Sequence, residues 1–183
     1  AGGRGELHTL LPTAAQPPPP PGEDTFSVAV LDSQARQGDT GLAALLRITN
    51  TQPLEGYSVT IGYEPAAVLP KEINLEGTIT NPDLVEFTDF QIHEDDPAIS
   101  YVVIVDFLPP LEGNVLPASE NQLLFRLIYD VLADAPLGEA TFDFPTEVGT
   151  PPILTKLVVA GGTVTPELLP GKLTIFEPND PPS

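Results

Sequence analysis

The residues best suited to chemistry in this 183-residue chain are the acidic side chains around one histidine. Residues 93–96 read HEDD, and Glu86 and Asp89 precede them closely. Calcium takes six to eight oxygen ligands, and carboxylates at this spacing can supply several of them from one loop. A solvated acidic loop ahead of the next strand is the alternative interpretation. The weak calcium candidates are Asp89, Glu94, Asp95 and Asp96; no metal site is assigned to them, and no other cofactor is expected.

Residues for catalysis are scarce in this sequence. The two histidines are His8, near the start, and His93, in the acidic run, and no Gly-x-Ser-x-Gly nucleophile motif is present. Two of the 26 acidic residues facing each other would suit glycoside hydrolysis, but their spacing does not select a pair. We therefore predict that the protein is not an enzyme and assign no catalytic residue.

The net charge of the chain excludes two classes of partner. Twenty-six acidic residues stand against seven lysines and arginines, which gives a formal net charge of −19. Nucleic acids and anionic lipid surfaces bind proteins through a cationic face, so neither is an expected partner. Three explanations of the acidity stay open: solubility through self-repulsion, calcium-bearing loops, and a saline extracellular setting in which counterions screen the charges.

The residue types that are missing favour an extracellular or cell-surface location. Cysteine and methionine are both absent, and the chain begins at Ala1. A mature chain without an initiating methionine has lost an N-terminal segment, for which a signal peptide is the first candidate; a fragment of a longer chain would look the same. No run approaches the roughly 18 apolar residues of a membrane span.

Proline and glycine set the fold class. The 23 prolines and 15 glycines disfavour long helices, and no stretch repeats apolar residues at helical spacing over three turns. Short apolar runs bounded by turn residues recur instead, which predicts an all-β, jelly-roll-like sandwich of two sheets and about nine strands. The clearest strands are 26–31, 42–49, 57–63, 101–108, 123–132, 140–144, 153–159 and 172–176; weaker ones are 73–79, 84–87 and 163–165, with a helical turn or loop at 64–70.

Composition divides the chain into four regions. Residues 1–16 are predicted to be an extended leader, and residues 17–24, which begin with five consecutive prolines, a linker. Such a run adopts a stiff polyproline II helix of about 3.1 Å per residue. The sandwich is predicted over residues 25–176, and residues 177–183 return to linker composition.

Two of the predicted strands are apolar on both faces. In 123–132, the second face carries Leu124, Ile128 and Leu132. In 101–108, both faces are apolar up to Asp106. A sandwich strand turns one face to the core, so the second face of each strand needs a cover, which is a loop, the leader or a partner.

Several short motifs, in this order, resemble the cohesin-type domains of bacterial extracellular proteins. They are residues 38–40 (GDT) before a strand, 54–65 (LEGYSVTIGYEP) running into a Tyr-Glu-Pro turn, 135–138 (APLG) after a strand, and the closing residues 171–175 (GKLTI). The resemblance covers about residues 26–176. It implies a nine-stranded jelly-roll-like sandwich whose ordinary role is protein–protein binding, and the best-known members bind calcium-loaded dockerin modules.

Two functions are compatible with these observations. The first is a self-assembling surface or filament subunit whose leader packs on a neighbouring copy. Its predicted contact residues are Leu7, Leu10, Leu11, Leu124, Ile128 and Leu132. The alternative is a cohesin-type receptor for a dockerin-like protein. Glycan binding is less favoured because the chain has no tryptophan and only four tyrosines.

Overall fold

The computed structural model describes residues 24–106 and 108–179, so the leader and almost all of the proline-rich linker lie outside the described part of the chain. The described residues form thirteen strands. In chain order these are β1 (Phe26–Val30), β2 (Ser33–Arg36), β3 (Leu42–Asn50), β4 (Gly56–Gly62), β5 (Val68–Asn74), β6 (Phe87–His93), β7 (Ala98–Ile104), β8 (Ser119–Val131), β9 (Gly138–Phe142), β10 (Lys156–Val159), β11 (Gly162–Val164), β12 (Glu167–Leu169) and β13 (Gly171–Phe176).

The strands assemble into two five-stranded sheets and one three-stranded sheet. The first sheet has the order β12-β1-β3-β8-β5, the second β11-β10-β4-β7-β6, and the third β2-β13-β9. Only two neighbouring pairs are parallel, β1 with β12 and β2 with β13. The predicted all-β sandwich is confirmed. The strands outnumber the nine expected because several short pieces, such as the three-residue β11 and β12, are separate strands.

Aromatic side chains join the first and second sheets across the core. The rings of Tyr57 and Tyr101, from the second sheet, lie with their centroids 6.2 Å and 5.1 Å from that of Phe125, from the first. All three side chains are buried. Burying an apolar side chain of this size stabilises a fold by about 1.5–3 kcal/mol, so this cluster is a main source of the attraction between the two sheets.

The polar atom of Tyr57 is satisfied inside this core. Its hydroxyl lies 2.9 Å from Thr80 Oγ1, which itself donates to the carbonyl of Leu124 at 2.7 Å. The Tyr57 hydroxyl is therefore the donor to Thr80. Burial raises the pKa of Tyr57 well above its usual value and raises the pKa of Tyr101 to about 12. Both phenols stay protonated at neutral pH.

Strand β3 shows how the sequence pattern determines the packing. Ala44, Leu46 and Ile48 are buried, and the residues between them are half-buried on the outer face. Strict alternation of this kind is typical of a strand with one core face. The prediction for this strand is confirmed to within a residue.

The region between β4 and β7 differs from the prediction. Residues 64–67 form the expected turn, but β5 begins at Val68 and runs through Pro70. Proline is tolerated there because β5 is an edge strand of the first sheet. Strand β6 begins at the last residue of the weakly predicted strand 84–87 and ends at the first residue of the predicted acidic loop 93–96. Both strands lie at sheet edges with polar residues on both sides, so neither shows the apolar alternation that marks a strand in the sequence.

A β-bulge removes Leu124 from the outer face of β8. Leu46 of β3 pairs with Phe125, and the next residue, Arg47, pairs with Leu123, which leaves Leu124 as the extra residue. A bulge interrupts the alternation of side chains along a strand. Leu124 is fully buried and belongs to the core cluster. Contrary to the expectation from strict alternation, its side chain is not available to a partner.

Candidate functional site

An apolar row crosses the outer face of the second sheet. The cross-strand register places Phe87 of β6 opposite Ile104 of β7. Ile104 in turn lies opposite Gly56 of β4, which lies opposite Val158 of β10. Directly opposed residues share one face, and Ile104 alternates with the buried Val103, so the row faces away from the core. Phe87 is 42% exposed, and Ile104 and Val158 are half-buried.

The loop after β7 extends this row. Leu108 and Leu111 are 55% and 69% exposed, the highest values among the large apolar side chains that the structure describes. Leu111 lines a groove together with Ile104 and Val158. Asp106 stabilises the loop, because its Oδ2 accepts a hydrogen bond from the backbone amide of Gly113 at 2.5 Å. We call Phe87, Ile104, Leu108, Leu111 and Val158 the apolar strip.

Gly56 forms the floor at the centre of the strip. A Cβ at this position would lie 2.5 Å from the carbonyl oxygen of Val103, closer than real Cβ contacts allow. That oxygen belongs to the backbone of β7, so it cannot move aside without disturbing the ladder between β4 and β7. The glycine leaves a shallow depression between Ile104 and Val158.

Acidic side chains stand at the edges of the strip. Glu86 accepts a hydrogen bond from the Leu108 amide at 2.5 Å, and Glu55 Oε1 accepts one from the Gly161 amide at 2.7 Å. Asp89 lies two residues after Phe87 in β6, so it is on the same outer face. The strip therefore combines an apolar centre with a negative edge.

The predicted calcium candidates are not gathered into a site. His93 ends β6, and its Nε2 lies 2.9 Å from Ser100 Oγ. Asp89 lies within β6, where its Oδ2 accepts a hydrogen bond from Gln91 Nε2 at 2.7 Å, and residues 94–96, including Glu94, belong to the turn before β7. Within the described ranges, no three His, Cys, Asp or Glu side chains are placed to hold a metal ion. Calcium binding stays a prediction.

The predicted partner contacts do not form one surface. Leu7, Leu10 and Leu11 lie outside the described residues. Ile128 is half-buried on the outer face of the first sheet, between Ala43 and Glu72 in the cross-strand register. Leu132 follows β8 and packs against the core, where Leu124 is also found. Of Leu124, Ile128 and Leu132, only Ile128 lies on an outer sheet face.

The sequence shows one sign of the apolar strip, but it does not identify all of the residues. The predicted strand 101–108 is apolar on both faces because Val102 and Ile104 alternate with core residues. Phe87 and Val158, however, come from strands far away in the sequence. Only the register of the sheet brings them to the same row.

Solved structures with a similar fold are cohesin domains. The cohesin of a type I complex, OlpA cohesin with the dockerin Doc918 from Clostridium thermocellum, is 17% identical over 83% of this chain and 99% of that chain, with a TM-score of 0.65. A non-cellulosomal cohesin from the archaeon Archaeoglobus fulgidus is 13% identical over 85% and 94%, with a TM-score of 0.60. CaCohA2 from Clostridium acetobutylicum is 13% identical over 87% and 96%, with a TM-score of 0.61.

The similarity is one of structure rather than sequence. No family model and no curated protein matches the sequence. In the part of the chain that the structure describes, no helix is long and apolar enough to cross a membrane. At these identities the comparisons establish the fold, and the choice of a binding surface depends on the residues of this chain.

Proposed function

Because the chain has the cohesin fold, we propose that it is a non-catalytic receptor module that binds a dockerin-like protein through the apolar strip. The observation that carries this proposal is the exposure of Phe87, Leu108 and Leu111 beside Ile104 on a chain of net charge −19. Exposed apolar patches with polar rims mark binding surfaces. The outer face of the second sheet offers such a patch.

The partners of the structural relatives support a dockerin as the class of ligand. The C. thermocellum cohesin is in a complex with a dockerin. CaCohA2 has also been solved in a complex with the dockerin CaDoc0917, and the matched chain of that complex is 17% identical over 83% of this chain. The A. fulgidus relative is called non-cellulosomal, so the fold also occurs outside cellulosomes.

The strip favours a partner that combines apolar and basic side chains. Ile104 and Val158 flank the depression above Gly56, which suits an aliphatic or aromatic side chain inserted from the partner. Glu55 and Glu86 stand close to its ends, where lysine or arginine would complement the charge. Charges at a rim mainly increase the rate of association, so we expect faster binding at low salt.

An extracellular or cell-surface location is part of this proposal. An acidic surface remains soluble in saline surroundings because counterions screen its self-repulsion. A chain without cysteine or methionine also presents few targets for oxidation. Detection of the native protein in a culture supernatant or on intact cells, rather than inside them, is the measurement that checks the location.

A calorimetric titration of the full chain with dockerin modules from type I complexes tests the binding function. We expect at least one module to bind with a Kd of about a micromolar or tighter. Leu111→Lys should weaken that binding at least about tenfold, because a charge would have to leave water in an apolar contact. Leu111 is 69% exposed, so the substitution should not affect folding.

The matched control for this test lies on the other sheet. Leu69 of β5 is 45% exposed on the first sheet, so Leu69→Lys introduces the same charge away from the strip. Its Kd should equal that of the unmodified chain. The proposal is wrong if no dockerin module binds, or if Leu69→Lys weakens binding as much as Leu111→Lys.

Self-assembly through the leader is a second candidate function, favoured by the position of Ile128 on the outer face of the first sheet. Deleting residues 1–16 should then convert any assembly larger than a dimer into smaller folded species in a sedimentation velocity experiment. Large assemblies that persist without the leader would contradict this function.

A further inference from the structure

The edges of the three sheets are protected to different degrees. Strands β11 and β12 have three residues each, and β2 has four. Strand β5 contains Pro70 and Lys71 and a shift of register between Pro70 and Glu72. Strand β9 carries Glu139, paired with Lys172 at 3.4 Å. Short strands, proline, charged side chains and bulges are the devices by which natural proteins prevent edges from pairing with other chains.

Strand β6 shows almost none of these devices. Its seven residues, FTDFQIH, include no proline or lysine, and all seven pair with β7 in unbroken register. Thr88 and Gln91 are exposed, and Ile92 is 42% exposed. In the described part of the chain, no strand pairs with the edge of β6 that faces away from β7. An open edge of this length and composition is a template for another strand.

We propose that β6 pairs with β6 of a second copy of this chain, antiparallel, about a two-fold axis at Phe90. In this register Phe90 faces the partner's Phe90, and Asp89 faces the partner's Gln91. Thr88 faces the partner's Ile92, and Phe87 faces the partner's His93. Aromatic pairs and polar pairs of this kind stabilise ladders, and no acidic residue opposes another.

The sequence of β6 favours this register over its neighbours. Side chains of the two copies share a face only if the axis passes through a residue of β6, because side chains alternate along a strand. An axis at Asp89 would place two aspartates opposite each other, which destabilises a ladder. An axis at Gln91 would leave the first two residues of β6 unpaired. The axis at Phe90 uses all seven residues.

Pairing of this kind would make the receptor bivalent. The two second sheets would join into one continuous sheet, and a two-fold axis perpendicular to it leaves both outer faces on the same side. Both apolar strips would then face the same direction. Two linked sites raise the apparent affinity for a partner that carries two modules. The pairing itself does not depend on the proposed function.

Sedimentation equilibrium of the full chain over a range of concentrations tests the pairing. We expect a reversible monomer–dimer equilibrium. Gln91→Lys places a lysine opposite the partner's Asp89 twice per dimer, and Gln91→Asp places an aspartate there twice. The dimer Kd of Gln91→Asp should exceed that of Gln91→Lys by about tenfold or more at low salt, and the difference should shrink as salt is added.

A matched pair of variants separates the local effect from net charge. Gln34 is an exposed glutamine on β2, so Gln34→Lys and Gln34→Asp change the net charge equally, away from β6. Their dimer Kd values should agree within about twofold, because distant exposed charges are screened. A chain that stays monomeric up to several hundred micromolar (roughly the range in which weak association appears), or a Gln34 pair that differs as much as the Gln91 pair, would overturn the proposal.

The absence of cysteine allows a direct test of the register. Thr88→Cys and Ile92→Cys chains, mixed in equal amounts and oxidised, should form a disulfide between the two variants. Directly opposed residues lie about 4.5–5.5 Å apart between Cα atoms, which a disulfide spans. Each variant alone should not cross-link, because the two equivalent positions are separated by about 13 Å along the strands. Equal cross-linking in all three samples would refute the register.

Discussion

The outer faces of the two large sheets contain similar aliphatic residues, but they differ in what covers those residues. On the first sheet, Leu45 lies directly opposite Arg126, and the guanidinium of Arg126 donates to the carbonyl of Glu76. Arg47 likewise donates to the carbonyl of Asn121 at 2.8 Å. Arginine covers apolar surface with its aliphatic stem while its charged end reaches polar groups. Arginine side chains of the same chain therefore cover part of this face.

The arginines of the described residues, Arg36, Arg47 and Arg126, lie in the third and first sheets, so none of them belongs to the second sheet. Lys156 of β10 lies two residues before Val158 on the same outer face, and its ammonium group donates a hydrogen bond to Thr165 Oγ1. A second apolar face therefore does not by itself mark a binding surface. The deciding feature is whether long basic side chains of the same chain lie across it.

The largest effect is expected from two glycines, Gly56 in the second sheet and Gly171 in the third sheet, where Gly171 lies close to β1 of the first. A Cβ at Gly56 would lie 2.5 Å from Val103 O, and one at Gly171 would lie 2.5 Å from Val30 O. Gly56→Ala and Gly171→Ala should each lower the free energy of unfolding by about 1–3 kcal/mol in urea denaturation. Only Gly56→Ala should also weaken dockerin binding at a temperature where both variants are folded. Equal loss of binding in both variants would show that binding does not depend specifically on the second sheet.

The buried phenols of the second sheet predict a loss of stability at alkaline pH. Burial raises the pKa of Tyr57, and that of Tyr101 to about 12, whereas both phenols ionise near pH 10 in the unfolded chain. Between pH 10 and 12 the unfolded chain therefore releases protons that the folded chain retains, so the free energy of unfolding falls as pH rises. Urea midpoints measured across this range should decrease.

Single phenylalanine variants are the controls for this pH dependence. Tyr101→Phe should reduce the fall in the free energy of unfolding between pH 10 and 12, because one buried phenol has been removed. Tyr57→Phe should also lower the stability at neutral pH by about 1 kcal/mol, since the hydrogen bond to Thr80 is lost. If the free energy of unfolding falls as steeply with pH in both variants as in the unmodified chain, other groups cause the pH dependence.

A smaller effect is expected at the hairpin between β10 and β11. Ala160 has a φ of 50°, and Gly161 has a φ of 82°, which together make a type I′ turn. Alanine is strained in this left-handed region, and asparagine is better tolerated there. Ala160→Asn should raise the free energy of unfolding by about 1 kcal/mol without changing dockerin affinity. A thermal denaturation curve that does not move would contradict this explanation.

The smallest effect concerns an ion pair on the first sheet. Lys71 Nζ lies 3.5 Å from Asp130 Oδ2, with both side chains partly exposed. Exposed pairs of this kind contribute little, so Lys71→Ala should change the free energy of unfolding by about 0.5 kcal/mol or less. It should leave dockerin binding unchanged, whereas a measurable loss of affinity would extend the binding surface to the first sheet.

The sequence predicted the sandwich well where one face of a strand is buried. Strand β3 alternates strictly, and its limits were found to within a residue. Most of strand β6 is not predicted by the sequence, because an edge strand exposed on both sides has no apolar alternation. Leu124 was placed on the wrong face because a bulge leaves no mark in the periodicity of β8.

The candidate site was predicted only in part, because the register between distant strands cannot be read from the sequence. The apolar second face of 101–108 was visible in the sequence, and it indicated that a cover or partner was needed. The neighbours of Ile104 in its row, Phe87 and Val158, are set by pairing between strands that are distant in the chain. Long-range pairing is not encoded in local patterns, so the composition of the strip required the structure.

The two parallel strand pairs determine how the described domain resists mechanical force. β1, near its N-terminal end, is parallel to β12, and β2 is parallel to β13, which lies near its C-terminal end. Tension applied at the two ends would pull the paired strands in opposite directions along their own axes. The hydrogen bonds between them are then loaded together in shear, whereas an antiparallel pair pulled from one end opens one bond at a time. A module that tethers a load would gain strength from this arrangement.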